Sequence, residues 1–544
     1  MLVTDDLLLH YKRCRRRAFL DVYGDSTQQD PPADFLLKLQ QDSFTHKQTV
    51  LGIDHQNQAV NRQAVNRQAL ESPLLSALPF SADITNPRLP HYPRENWEAG
   101  AKATLELMQQ GTNCIAQPVL LMQTPEGVTL VSYPDLLIKQ PGQSNLGEWL
   151  YVPITIKFGR RPKAEYQMVA AFRAQLLAAM QGVLPSSTWL ILRRQGAYAV
   201  NLERWVPLMQ EVLSECIETI QQRQEPEVFI SRQKCSLCQW YSSCHAIAKS
   251  QKHISLLPGV TPSRYQILQE LEITAVESLA QANVSILESA FGVEVASDLV
   301  QQARATVENR AILRQKPNSS PNQPSREGDG SENADGLSLA AESGNGKRSQ
   351  SIRYTDTLPA ASVELFFDIE AEPELKLDYL LGLLVIDRST DTETFHPLVA
   401  ENPQDEASIW QEFLDLVWLY PDAPIFHFSD YEVETVKRLA KLYHTPLWRL
   451  QPLLSRFVDV HHRVMSSVML PVESYSLKHL ARWLGFEWRD AEITGSQCVC
   501  LYNRWLATGD RSLLNTIQRY NEDDCRATYH LKNWLFNFLQ ENSP

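Results

Sequence analysis

The run Val363-Glu364-Leu365-Phe366-Phe367-Asp368-Ile369-Glu370 decides how the C-terminal part of this chain is read. It is a short apolar stretch that closes on two acids, Asp368 and Glu370, two positions apart. On a strand, residues two apart point to the same face. Two carboxylates on one face at the end of an apolar strand repel each other and lose hydration, an arrangement that is costly unless a cation sits between them. A divalent metal ion is the simplest such cation.

Working outward, the segment Tyr520-Asn521-Glu522-Asp523-Asp524 places Tyr520 and Asp524 four apart inside a helical pattern over Arg511–Leu539, so the two share a helix face. Between the two acidic sites lies His427-Phe428-Ser429-Asp430-Tyr431-Glu432, at the end of a short strand over Pro424–Phe428 and the start of a helix from about Asp430. Asp459, in RFVDVHH, is a further acid on an expected strand. Further strands are expected over Tyr379–Asp387 and Thr394–Val399, and helices over Glu406–Tyr420 and Ser476–Leu484. Taken alone, an acidic strand end or a Tyr-x-x-x-Asp on a helix is an ordinary solvated surface. The force of the pattern is that three such features fall in this order on these elements.

In that order they resemble the three exonuclease motifs of the DEDD family, tyrosine-bearing subclass, on an RNase H-like fold, over about Ser362 to Phe538. The resemblance implies a 3′–5′ exonuclease working with two Mg²⁺ or Mn²⁺ ions that stabilise the attacking and leaving oxygens of an in-line displacement. It implies that Asp368 bridges the ions, that Glu370 and Asp524 hold the ion that activates water, and that Tyr520 orients that water. The second motif departs from the family's Asn, four residues, then Asp: here the positions are His427 and Glu432, and Asp430 lies two residues earlier. Glu432 is taken as the second-motif acid ahead of Asp430, with Asp459 a further candidate. The segment Ser474–Phe486 resembles the family's interior helix, in which Lys478 is either packing or a phosphate contact.

Nine cysteines in a chain whose N-terminal apolar run, Leu7–Leu9, is too short for a secretion signal do not read as a disulfide framework. Cys235-x2-Cys238-x5-Cys244 has the spacing of a metal cluster, with Cys14 or the local His245 as the fourth ligand. One distant N-terminal cysteine plus a C-terminal trio around a nuclease core resembles RecB-like nucleases of the PD-(D/E)xK superfamily. That likeness implies a [4Fe–4S] cluster on Cys14, Cys235, Cys238 and Cys244, with Zn²⁺ the alternative. The same likeness assigns catalytic positions to His46, Asp135, Lys157 and Gln167, but Thr155 stands where a carboxylate is expected. A threonine hydroxyl is a much poorer Mg²⁺ ligand than a carboxylate. Either Glu165, on the following helix, is a migrated acid, or the domain is impaired and binds nucleic acid. Arg160, Arg161 and Lys163 then hold phosphates, or form a solvated basic turn.

The elements expected in this half are a helix over 95–111, strands over 118–124 and 128–139, a strand Trp149–Phe158, a helix Lys163–Gln181, a hairpin Trp189–Arg193 and Ala197–Leu202, and a helix Glu203–Gln224. The five-residue repeat in Gln58–Leu70 is too short for a solenoid and reads as a local duplication. The 544 residues therefore read as an α/β multidomain chain. Residues 1–254 form a restriction-endonuclease-like (RecB-like) domain. Residues 255–313 form a small helical module, either helix-hairpin-helix-like or a spacer. Residues 314–352, rich in Ser, Asn, Gly and Pro, form a disordered linker, and 353–544 an RNase H-like exonuclease domain.

The net charge of −13 is uneven: residues 351–544 carry 17 basic and 29 acidic side chains against 34 and 35 in 1–350, so a basic footprint for nucleic acid exists only locally. No run reaches the roughly 18 apolar residues of a membrane helix, and the expected location is the cytoplasm. No Walker A motif is present to drive a helicase. The expected function is a metal-dependent nuclease acting on nucleic acid, DNA favoured over RNA. The alternatives are a non-catalytic nucleic-acid-binding scaffold and a nuclease whose N-terminal site does the cutting.

Overall fold

The computed structural model describes residues 1–51, 78, 87–315 and 358–542. The described residues divide into two compact units, one of residues 1–228 and 232–245, the other of 229–231, 246–315 and 358–542. The Gln58–Leu70 repeat lies outside the described residues, as does the expected linker from Lys316 onward.

The first unit has eight strands: β1 (Leu2–Thr4), β2 (Cys114–Ala116), β3 (Leu120–Gln123), β4 (Thr129–Ser132), β5 (Leu136–Ser144), β6 (Gly147–Lys157), β7 (Thr188–Leu192) and β8 (Gly196–Val200). Five form a sheet in the order β2-β5-β6-β7-β8, and three a smaller sheet in the order β1-β4-β3. Within the larger sheet β6 and β7 are parallel. A parallel pair needs a crossover, supplied by the helix Ala164–Gln181. That helix is buried on most of its circumference, and Ala170, Ala171 and Ala174 give it a close fit among Phe172, Leu176 and Leu177. It also buries one charge, Arg173.

The single strand expected over 128–139 is broken into β4 and β5, which lie in different sheets. Pro134 has no N–H to give to a ladder. Beside it, Asp135 turns its carboxylate onto the Ile156 amide at 2.7 Å.

The second unit opens with the helices Pro262–Glu270, Val276–Ala280, Val284–Phe291 and Val293–Glu308, followed by β9 (Ile312–Leu313). After residue 357 come β10 (Val363–Glu372), β11 (Leu377–Asp387), β12 (Thr392–Val399), β13 (Ile425–His427), β14 (Phe457–Asp459) and β15 (Val468–Met469). The main sheet has the order β12-β11-β10-β13-β14, antiparallel through β12, β11 and β10 and parallel from β10 to β14. The strict alternation of β10 sets its two faces. Leu365, Phe367 and Ile369 pack with Ile409, Trp410 and Phe413 of the helix Glu406–Val417. Phe366 packs with Leu531 and Leu535 of the long helix Arg511–Glu541, so Glu364, Asp368 and Glu370, ahead of the register shift at Ala371, face that helix.

The helices over 262–308 are joined to this unit by a strand pair, β9 against β15, with Arg314 N donating to Ser467 O at 2.8 Å. Gln302 Nε2 donates to Leu470 O at 2.7 Å, and the Tyr475 hydroxyl donates to Gln302 Oε1 at 2.8 Å. Arg314 and Gln315, the first two residues of the expected linker, are thus held in place: Gln315 N donates to Gln301 Oε1 at 2.7 Å. Among the described residues no helix is long and apolar enough to cross a membrane.

Candidate metal centre

Strand β10 brings Asp368 and Glu370 to the helix Arg511–Glu541, which contributes Asp524. One carboxylate oxygen from each lies within 4.8 Å of the others. Asp368 and Asp524 are half-buried and Glu370 is buried. Burial first, and then repulsion by Asp524, Glu370 and Glu432, holds the Asp368 carboxyl well above the ordinary carboxylate range. Glu370 is raised well above it by burial and by Asp524. Asp524 is pushed up to about 7 by burial, opposed by the Trp488 indole N–H, the Lys478 charge and the Tyr520 hydroxyl. Carboxylates held this far above their ordinary range are undercompensated, and a divalent ion taken up by oxygen ligands fits them.

Glu432 is buried at the start of the helix Tyr431–Leu442, and its charge acts on Asp368. Its pKa is raised by burial, with His427 opposing. His427 sits 3.5 Å from Glu432 Oε2 but uses the same Nδ1 on Ser429 O at 2.7 Å, and Glu432 Oε2 is left buried with no hydrogen-bond partner. Asp430, by contrast, is exposed at the N-cap and makes no capping bond. Asp459 accepts from the amides of Ser429 and His462, each at 3.1 Å. It thereby clamps Ser429, which holds a φ of +99° that a non-glycine residue rarely adopts. Of the three acids proposed for the second motif, the structure brings Glu432 to the cluster and gives Asp459 a structural partner set.

Tyr520 is buried, with Lys478 Nζ 5.1 Å from its ring centroid. Lys478 donates to the Ile493 carbonyl. Two contacts to the carboxylates were not foreseen in the sequence. Trp488 Nε1 donates to Asp524 Oδ1 at 2.7 Å. Asn521 Nδ2 donates to Asp368 Oδ2 at 2.6 Å, while its own Oδ1 is buried without a donor. Both join residues far apart in sequence, and only the position of Asn521 inside the tyrosine motif hinted at a role.

Residues 365–536 match the family model described as the RNase_H superfamily. The C-terminal half carries an RNase H-like domain. No curated protein matches the chain. The domain points to a nucleic-acid substrate and to divalent cations, and the carboxylate trio lies inside the matched span.

In the first unit the residues singled out in the sequence meet different partners. Asp135 is bound by Lys47 at 2.9 Å and the Ile156 amide at 2.7 Å, with Arg173 Nη1 at 4.0 Å. Thr155 is buried and accepts from Arg173 Nη1 at 2.7 Å. The other face of Arg173 is held by Asp5, at 3.0 Å from Nε and 2.5 Å from Nη2. Lys157 lies over the Tyr166 ring at 5.6 Å and is lowered to about 8, first by burial and then by Arg173. Glu165 is taken up by Arg13 at 3.2 Å. Gln167 donates to Pro162 O at 2.8 Å and so holds the turn that carries Arg160, Arg161 and Lys163. His46 packs edge-on against Phe158 with its Nε2 buried and unpartnered.

Cys14 sits between the helices Asp5–Arg13 and Arg15–Tyr23 and accepts from Arg17 N at 3.4 Å. Burial raises Cys238 and Cys244, each of which feels the charge of Cys14, and Arg16 lowers Cys244. Cys235 ends the short helix Arg232–Cys235, and the Cys238 amide donates to its carbonyl at 3.0 Å. Among the described residues, Asp368, Glu370 and Asp524 are the group whose ligand atoms come together for a metal ion; the thiols of Cys14, Cys235, Cys238 and Cys244 are not brought together in that way.

Proposed function

We propose that the RNase H-like domain is a metal-dependent 3′–5′ exonuclease acting on DNA in preference to RNA, and that the N-terminal unit grips the nucleic acid. The observation that carries this is the convergence of Asp368, Glu370 and Asp524 within 4.8 Å. Asp368, Glu370, Asp524 and Glu432 would hold two Mg²⁺ or Mn²⁺ ions, which when bound supply charge to both oxygens of an in-line displacement. Tyr520, four residues before Asp524 on one helix face, would orient the attacking water. Lys478, beside Tyr520, keeps a positive charge at the edge of the site where a phosphate would lie. Asn521 and Trp488 fix the Asp368 and Asp524 carboxylates in single orientations.

The N-terminal sheet, with β5, β6 and β7 flanked by the helix Ala164–Gln181, suits a RecB-like PD-(D/E)xK core. The thiols of Cys14, Cys235, Cys238 and Cys244 are its expected [4Fe–4S] ligands, with Zn²⁺ the alternative.

The test uses 3′-labelled and 5′-labelled single strands of DNA and RNA, with full-length protein purified without oxygen and supplied with Mg²⁺ or Mn²⁺. Stepwise loss from the 3′ end, absent in Asp524→Ala, is the expected result. No cleavage with either metal overturns the proposal in favour of a binding scaffold. Cleavage that survives in Asp524→Ala moves the active site to the N-terminal unit.

A further inference from the structure

The charged cluster around Asp135 and Arg173 in the N-terminal unit has the wrong charges for a metal site. A divalent ion there would need carboxylates with free oxygens. Asp135 is already engaged by Lys47 at 2.9 Å and a backbone amide at 2.7 Å. Asp5, the other acid, takes all its bonds on one oxygen, Oδ2, from Arg173, from Ser132 Oγ at 2.8 Å and from Tyr133 N at 3.4 Å, so that of the four carboxylate oxygens only Asp5 Oδ1 is outside these bonds. Thr155, where a third ligand is expected, is occupied by the same guanidinium at 2.7 Å. Arg173 therefore joins Asp5 and Thr155 and reaches toward Asp135 at 4.0 Å, the position a bridging ion would take. With Lys47 and Lys157 the cluster holds three cations against two carboxylates. A metal ion entering it would meet net positive charge and would have to displace a buried, fully bonded arginine.

The same surplus suits an anion. Among the described residues Lys157 Nζ makes no hydrogen bond and no ion pair within 4.0 Å; it lies over the Tyr166 ring and feels the charges of Asp135 and Asp5 only at longer range. The Lys47 side chain remains 39% exposed.

We propose that this cluster is a metal-free phosphate site for the backbone of a nucleic-acid strand, in which Arg173 is the fixed cation and Lys157, with the more exposed Lys47, makes the contact. This rests on the N-terminal unit being the grip of the proposed nuclease. It adds the residues and the independence from metal. The migrated-acid alternative through Glu165 loses its ligand to Arg13.

The experiment uses the full-length chain carrying Asp368→Asn and Asp524→Asn, so that bound strands persist. A fluorescein-labelled single-stranded DNA is titrated by anisotropy in EDTA and in Mg²⁺, across a salt series. The expected result is affinity independent of EDTA. Lys157→Ala should weaken binding about tenfold, the loss of one charge-assisted contact. It should also flatten the plot of log affinity against log salt by about 0.7, the slope of one single-strand phosphate contact. Lys157→Arg should restore both. Unchanged affinity and slope in Lys157→Ala overturns the proposal. So does a tightly bound Mn²⁺, counted by electron paramagnetic resonance in the same double-Asn background, that is lost on Asp135→Asn. Failure of the nuclease proposal is read separately, as absence of cleavage by the wild type, and leaves these binding results standing.

Discussion

Asn521 donates to Asp368 across 2.6 Å, and the helix that carries it comes this close to the sheet because the residue opposite Asp368 on β11 is Gly382. A Cβ at position 382 would lie 1.6 Å from Asn521 Oδ1. The carboxylate that heads the cluster is therefore oriented by a residue 153 positions away, through a gap that only glycine leaves.

Gly382→Ala should push Asn521 off Asp368. Overpacking of this kind costs about 1–3 kcal/mol. The expected outcome in urea unfolding is a loss of that size, together with reduced turnover. Adding Asn521→Ala should return most of the stability, because the clash is with the Asn side chain, but not the turnover, because Asp368 stays unheld. Additive losses in this double-mutant cycle would show that the two positions do not interact.

The carboxylate cluster makes a signed prediction for pH. Asp368, Glu370, Glu432 and Asp524 are all raised in the folded protein, Asp524 to about 7. Between the ordinary carboxylate pKa of about 4 and these raised values the folded state binds more protons than the unfolded state, so stability falls as pH rises through that window. Divalent ions bind the deprotonated cluster, so their stabilisation grows over the same range. Mg²⁺ at about a hundred times its Kd adds roughly 2.7 kcal/mol, and in differential scanning fluorimetry the increment in Tm should be larger at pH 8 than at pH 5.5. Asp524→Asn should remove most of the increment. A metal-free Tm that climbs from pH 5 to pH 8 and ignores Mg²⁺ would contradict the assignment.

Asp368, Glu370, Tyr520 and Asp524 were legible because each pair obeys a local period, two on a strand and four on a helix. The second-motif acid was not, because it lies at a strand-to-helix junction where no period applies. Burial beside His427, a tertiary property, is what separates Glu432 from Asp430. Asn521, Gly382 and Trp488 share a cause of invisibility: each acts across the sheet or between distant segments, and only the place of Asn521 between Tyr520 and Asp524 hints at a role. The same holds in the N-terminal unit. The sequence showed that Thr155 is a poor metal ligand. That Arg173 fills the space follows only from the fold, which lays the helix Ala164–Gln181 against β6. The strand pair of β9 with β15 is two residues long on each side, too short for any pattern, yet it ties the helices over 262–308 to the RNase H-like unit.

The choice between Glu432 and Asp430 has a direct test. Glu432→Gln removes a buried charge near Asp368, and turnover of a labelled strand should fall by about a hundredfold or more, as when a metal-site contact is lost. Without metal the variant should be at least as stable as the wild type, because a disfavoured buried carboxylate has gone. Asp430→Asn, at an exposed position, should stay within about twofold in rate, the effect of an ordinary surface change. The reverse ranking would hand the second motif to Asp430.

Stability and activity should separate at the far end of β10. Glu364 lies on the same face as Asp368, is fully buried, and is paired with Lys532 Nζ at 2.6 Å and Arg388 Nη2 at 2.8 Å. Lys532 sits two helical turns beyond Asp524 and reaches no member of the cluster. Lys532→Met leaves Glu364 with one half-exposed partner, and breaking a buried pair costs about 3–5 kcal/mol. The surviving Arg388 contact places the expected loss near the lower figure. Lys532→Met with Glu364→Leu removes both charges and should recover most of it, since apolar replacements of a buried pair are often neutral. Below the unfolding transition, turnover per folded molecule should match the wild type in both variants. A drop in turnover at full folding would mean that the Glu364 end of β10 sets the position of Asp368, and that the strand transmits strain along its length.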